Sequence, residues 1–427
     1  MKPFIILIFT ALFSVNVLYA SNISSNLRFG GYIENKTVLT VSSDELISDN
    51  ALARLEGTWD IGKWGGIETH VILSAPLQPL DPFETIRNGS VMDRSLQQAL
   101  YPFLEKLDDF IPSGDSTEPL LSEKDAQRII WHLPYSTFYP TDKVVLDRAL
   151  IKTYFKHFDL FVGRQMIAWG TGYAFNPTDI WNSKNPLDPD APKVGVNAIR
   201  LEIPLGILSG ISLIASPGHD FKHSSAGLRI KSNLGHFDFS LSGMRIMNSD
   251  RALLGLPPKI VAGADFTGEI GDIGVWAEAA FNNPVYSGME YTDFDSSFVQ
   301  AVAGLDYTFD NGLYAIAEYY FNESGCKDSE DYGAKELIKL LTGEMSGLGR
   351  HYLFGGVQYS IANQYDFSLF ALGNLTDRSV MLMPSVTFIP NDIISIEIGA
   401  QAGIGDHKKS EYGGAFPNLF LTVKGYF

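Results

Sequence analysis

The sequence predicts an all-β fold, a transmembrane antiparallel β-barrel of about eighteen strands, and three observations predict it. Apolar and polar residues alternate with period two in run after run, so each run is a strand with one apolar and one polar face. Short and long connections take turns between the runs, as in a barrel with tight turns at one rim and loops at the other. The chain also ends inside such a run, "FPNLFLTVKGYF", where Leu419, Leu421, Val423, Gly425 and Phe427 share one parity. That open apolar edge needs a partner, and pairing the last strand with the first removes both edges.

Residues 1–20, "MKPFIILIFTALFSVNVLYA", hold one charge, Lys2, then an apolar run and the small residue Ala20. This is the chemistry of a secretory signal peptide cut after Ala20, which leaves 21–427 as a single barrel. No later stretch approaches the ~18 apolar residues of a spanning helix. The first strand is expected near "LRFGGYIENK" (27–36). Short connections fall at 60–64, 156–157, 233–235, 310–312 and 390–392, and in "DNG" (310–312) the pair Asn311-Gly312 accepts positive φ cheaply. Long ones fall at 75–145, 170–196, 216–224, 247–257, 282–296, 323–350 and 404–416. Both termini then lie at the short-turn, periplasmic rim, and the long loops are external.

The 75–145 segment is too long for a plain loop. Leu96, Leu100, Leu104 and Leu107 have helical spacing within 90–110, and Ser122 caps a second helix over 122–133. This small helical insertion is either a plug in the barrel or a lid over it. Composition agrees with strands and interfacial girdles: 19 Tyr, 28 Phe and 40 Gly, with 45% hydrophobic residues. A single cysteine, Cys326, excludes an internal disulfide framework.

Runs such as "NAIRLEIPL", "FVQAVAGLDYTF" and "IISIEIGAQ" set pure apolar parities against charged ones. If the apolar parity meets lipid, the other lines the lumen. Early strands then offer Arg148, Lys152, Arg200, Arg229, Lys231 and Lys259, with Glu202 and Asp238 among them. Later strands offer Asp265, Glu278, Asp306, Glu318, Asp366 and Glu397, with Lys424 at the end. A mostly basic wall would face a mostly acidic one, a field that orients dipolar or zwitterionic solutes. The competing reading is that these charges simply pair across a plugged lumen.

Phe427, a C-terminal aromatic on a closing strand, resembles the assembly signal of bacterial outer-membrane proteins. "GRQMIAWGTGYAFNPTDIWNSKNPLDP" (163–189) resembles a segment of little-characterised families of outer-membrane barrels through its Gly-Arg-Gln, Trp-Gly and Asn-Pro elements. The resemblance implies a porin-like barrel in a Gram-negative outer membrane, with its lipid, lipopolysaccharide and barrel assembly machinery as partners. From the residues alone, a strand runs to Trp169 and leaves through Gly170 and Gly172 into a stiff loop. Trp169, Tyr173, Phe175, Asp179 and Trp181 are its candidate constriction residues, and a cap over the mouth is the alternative. Arg164 shares the parity of Val162 and Leu160, so a bulge at Gly163 is expected to turn it inward.

A net charge of −17 disfavours nucleic acid as a partner. Neither "DPD" (188–190) nor "DFD" (293–295) completes a calcium loop, so no metal and no cofactor is implied. The eight histidines are scattered, and "HDFKHSS" (219–225) lacks a nucleophile or oxyanion motif, which argues against an enzyme. The expectation is a diffusion channel for small polar or charged solutes, a monomer to trimer. A structural or surface-attachment barrel with a plugged lumen is the second reading.

Overall fold

The computed structural model describes residues 26–40, 46–76, 144–181, 187, 195–218, 220–247, 258–284, 297–332, 336, 340, 345–407, 409–415 and 417–427. The expected signal peptide, the helices at 90–110 and 122–133 and parts of several long loops lie outside these residues. Eighteen strands follow in chain order. They are β1 (Leu27–Thr40), β2 (Leu46–Asp60), β3 (Gly65–Pro76), β4 (Val144–Tyr154), β5 (Asp159–Gln165) and β6 (Val196–Pro204). Next come β7 (Gly210–Ser216), β8 (Ser225–Leu234), β9 (Phe237–Ile246), β10 (Lys259–Ile270), β11 (Ile273–Pro284) and β12 (Phe298–Thr308). The last six are β13 (Tyr314–Asn322), β14 (His351–Ile361), β15 (Tyr365–Asn374), β16 (Ser379–Asn391), β17 (Ile394–Ile404) and β18 (Asn418–Tyr426).

Each strand pairs antiparallel with the next, and β18 pairs with β1 from Tyr32–Tyr426 to Thr40–Asn418. The sheet is a closed barrel with no free edge, the physical answer to a chain that ends on an apolar strand. Beyond β18, Phe427 and Gly31 exchange both backbone hydrogen bonds at 3.1 Å. Lys424 meets Glu34 across the seam at 2.8 Å. The side-chain period of two then separates two faces. Outward stand Leu55, Ile151, Ile199, Leu241, Leu305, Leu369 and Ile398, all exposed. A continuous exposed apolar band of this kind is stable only against lipid.

Several local expectations are corrected. β5 ends at Gln165, not Trp169, because the backbone turns inward there and buries Ile167 and Trp169. No bulge occurs at Gly163: Leu150 and Ala198 oppose it without a register shift. Arg164 therefore keeps the parity of Val162, opposite Ala149 and Asn197, and does not line the lumen. The bulge sits in β4 instead, between the partners of His70 and Val71, and sets Asp147 on the inner face beside Arg148. At the "DNG" turn only Gly312 has positive φ, while Asn311 Oδ1 accepts from Leu313 N at 3.1 Å. The turn between β14 and β15 places Ala362 and Asn363 at positive φ with no glycine.

Candidate functional site

The segment after β5 folds back into the barrel and lies on the inner wall. At its start Gly170 has φ +90, and a Cβ there would meet Glu278 Oε2 at 2.5 Å, so only glycine lets the backbone reach that carboxylate. Glu278 of β11 accepts from Thr171 N (2.7 Å) and Gly172 N (3.2 Å) on one oxygen. Its other oxygen accepts from Thr178 N (2.6 Å) and Thr178 Oγ1 (2.8 Å). Glu318 of β13 accepts from Tyr173 N (2.5 Å) and Trp276 Nε1 (2.8 Å) on one oxygen. Ala174 N and Phe175 N, both at 2.9 Å, reach the other. Each carboxylate is thus satisfied by donors on both oxygens, although Glu278 and Glu318 are only 3% and 1% exposed. Fixed backbone N–H groups thus stand in for a counter-cation at each buried anion.

Apolar packing completes the attachment. Phe175 stacks on Tyr320 at 4.1 Å and 10°, and Tyr352 lies 5.6 Å from it. Tyr173 lies 5.4 Å from Phe354. Trp169 and Trp181 meet edge to face at 6.4 Å and pack with Ile214, Met244 and Val261. Asp179 is buried in the turn it closes, its N–H donating to Asn176 O. Four of the five predicted loop residues, Trp169, Tyr173, Phe175 and Trp181, therefore lie along the β6–β16 wall in two apolar clusters, and Asp179 belongs to neither.

The predicted lumen charges stand on the inner parity, Arg164 excepted, but they do not form two opposed walls. Most pair with a neighbour. Arg229 bridges to Asp265 at 3.0 Å, and Ser240 Oγ donates to the same carboxylate. Lys231 meets Asp238 at 3.0 Å, and Arg200 meets Glu202 at 3.6 Å. Arg148 (3.3 Å) and Lys152 (2.5 Å) share Glu68. Asp306 accepts from Tyr314 Oη and Asp366 from Ser360 Oγ. Lys259, at the long-loop end of β10, is 5% exposed. Glu397 lies opposite Thr387 and Thr422 on the far side of the barrel. Between the inner loop and β8–β10 lies a polar cavity of ≈ 340 Å³ lined by Gly170, Thr171, Arg229, Lys231, Asp238 and Asp265.

Two clusters were not identified from the sequence. On β2–β4, Arg54 meets Asp147 at 2.9 Å, Glu56 at 2.7 Å and His70 Nδ1 at 2.7 Å. Its signal was the inward parity of Arg54, Glu56, Glu68 and His70, in strands whose register the sequence defines least. The second ties three loops at the long-loop rim. Glu411 accepts from Tyr352 Oη (2.6 Å), Asn374 Nδ2 (2.7 Å) and Leu348 N (3.3 Å), while its own N–H donates to Asp377. Burial, together with the nearby Asp377, pushes the Glu411 carboxyl up to about 7. At "HDFKHSS" the described groups make turn contacts: His223 Nδ1 lies 2.7 Å from Asp220, and Ser224 Oγ donates to Asp220 O.

No protein-family model matches the sequence, and no curated protein matches it. Solved structures do match in fold. OccAB4 of Acinetobacter baumannii aligns with a TM-score of 0.53 at 8% identity, over 95% of this chain and 99% of that one. OccAB3 of the same organism aligns with a TM-score of 0.52 at 12% identity, over 95% and 100%. OccK8 (OprE) of Pseudomonas aeruginosa aligns with a TM-score of 0.53 at 8% identity, over 95% and 99%. Across nearly its whole length the chain has the fold of a porin-like outer-membrane β-barrel.

Proposed function

We propose that this protein is a non-enzymatic channel of the outer membrane, through which small polar or charged solutes diffuse past the inner loop. The observation that carries the reading is the polar cavity between that loop and the charged wall of β8–β10. The loop is pinned to one side of the barrel by Glu278 and Glu318, which narrows a lumen without calling on the opposite wall. Both signs of charge line the cavity, through the pairs Arg229–Asp265 and Lys231–Asp238. Lys231 and Asp238 keep 48% and 30% of their side chains exposed, so a zwitterionic solute meets both charges side by side. The cavity's lining is mostly polar, with Phe239 its one aromatic side chain.

The test is liposome swelling with the full-length protein and a graded series of neutral sugars, amino acids and apolar solutes. The expected result is uptake that falls with solute size and favours amino acids over apolar molecules of equal size. A sealed barrel for surface attachment, the competing reading, draws on the dry packing of Tyr173 and Phe175 against the β13–β15 wall. It predicts no swelling with any solute.

A further inference from the structure

The outer wall carries a feature that diffusion through the lumen does not use. On the lipid-facing side of β6–β9 an apolar furrow of ≈ 430 Å³ runs toward the long-loop rim. Its floor is made of small residues, Ala215, Ala226 and Gly243, and its sides of Ile199, Leu213 and Leu228, which are 47%, 39% and 40% exposed. Gly243 faces open space, with no atom within 4 Å of where a Cβ would stand. The furrow is therefore a gap in the wall's surface, one that bilayer chains must fill.

At the rim end of this furrow stands a cation. Arg245 is two residues above Gly243 on the same outward parity, opposite Ala226 and Ile260. A guanidinium on the lipid-facing parity is expensive unless an anion is at hand. Arg245 forms no ion pair among the described residues. Its Nη1 donates to Ser224 O and its Nη2 to Lys222 O at 2.8 Å, so carbonyls fix the guanidinium in place without neutralising it. Phe221, 87% exposed, lies 5.9 Å beneath it in a cation–π arrangement. Lys222 adds a second exposed cation on the same turn. The nearby carboxylate, Asp220, is held by His223 at 2.7 Å.

We propose that the furrow and Arg245 together form a binding site for a phosphorylated lipid of the surrounding bilayer, in the leaflet on the long-loop side. An acyl chain lies over Ala226 and Gly243 beside Leu228, and the headgroup phosphate meets Arg245 and Lys222. The fit is one of both ends at once: apolar volume below, fixed positive charge above, and an exposed aromatic ring at the boundary. Neither end alone selects a phosphorylated lipid from a neutral one.

The test is native mass spectrometry of the full-length barrel released from neutral detergent, with added phosphatidylglycerol, phosphatidylcholine or inorganic phosphate. Wild type is expected to retain phosphatidylglycerol in preference to phosphatidylcholine, and to hold free phosphate poorly. Arg245→Gln should weaken phosphatidylglycerol binding about tenfold, the effect of one lost charge-assisted hydrogen bond. Gly243→Leu fills the furrow without a backbone clash and should weaken it too, with the charge intact. If Arg245→Gln does not insert, Gly243→Leu and Lys222→Gln decide. Equal binding by wild type and Gly243→Leu overturns the proposal, as does free phosphate bound as tightly as the lipid.

Discussion

Removing the Glu318 carboxylate tests how the inner loop is held. In Glu318→Ala, four buried donors lose their acceptor: Tyr173 N, Ala174 N, Phe175 N and Trp276 Nε1. Each stranded donor costs about 1–3 kcal/mol, so a loop that stayed in place would carry roughly 4–12 kcal/mol of strain. Peeling residues 173–175 away instead forfeits the burial of Tyr173 and Phe175, about 3–6 kcal/mol, and the Phe175–Tyr320 stack, about 0.5–1.5 kcal/mol more, which falls below most of that range. Detachment is the cheaper course, since water then satisfies the freed N–H groups. Glu318→Gln is the graded case, because it keeps one acceptor oxygen and turns the other position into a donor facing donors. The assays are single-channel conductance and limited chymotrypsin digestion at Tyr173 and Phe175. Conductance and cleavage should rise in the order wild type, Gln, Ala, with heat-modifiable barrel mobility retained. Wild-type conductance and an uncut loop in Glu318→Ala would refute the latch.

Other perturbations reach different parts of the barrel. Replacing both Arg200 and Arg229 with Gln removes the cations from two inner-wall pairs and leaves Glu202 and Asp265 in place. The reversal potential in a salt gradient should shift toward cation selectivity, and no shift would put these residues outside the conduction path. Deleting Phe427 removes two seam hydrogen bonds to Gly31 and the outward aromatic ring, so the heat-modifiable, membrane-inserted fraction should fall; unchanged insertion would deny the residue an assembly role. At the rim, Glu411 has a folded pKa near 7, above the ordinary carboxylate value, so the folded cluster binds its proton more tightly than the open one. Loop stability should therefore be full below pH ~4.5 and decline as pH rises through about 7. Hydrogen exchange at 345–350 and 409–415 should show this slope, and Glu411→Gln should flatten it.

The strand number, the closure of β18 on β1 and the inward parity of Arg200, Asp265 and Glu318 were legible because one lipid-facing surface forces a strict period of two. Legibility failed where that constraint lapses. Arg164 shares the parity of Val162 and Leu160, and the cost of a charge there suggested a register change at Gly163 that the pairing with Ala149 and Asn197 does not make. The real bulge, at Asp147, has no glycine to mark it and serves a long-range bond to Arg54. Glu278 and Glu318 read as wall charges, since a carboxylate that serves backbone N–H groups more than a hundred residues away leaves no local pattern. The Glu411 cluster joins three loops for the same reason, by tertiary placement alone.

The central claim is that the inner loop narrows an open lumen. Single-channel recording of the purified wild-type protein in a planar bilayer tests it most directly. The expected result is steady, sub-maximal conductance that Glu318→Ala enlarges. A bilayer that stays silent with correctly folded wild type, and opens only when the loop is released, would mean the loop seals the barrel and would contradict the channel.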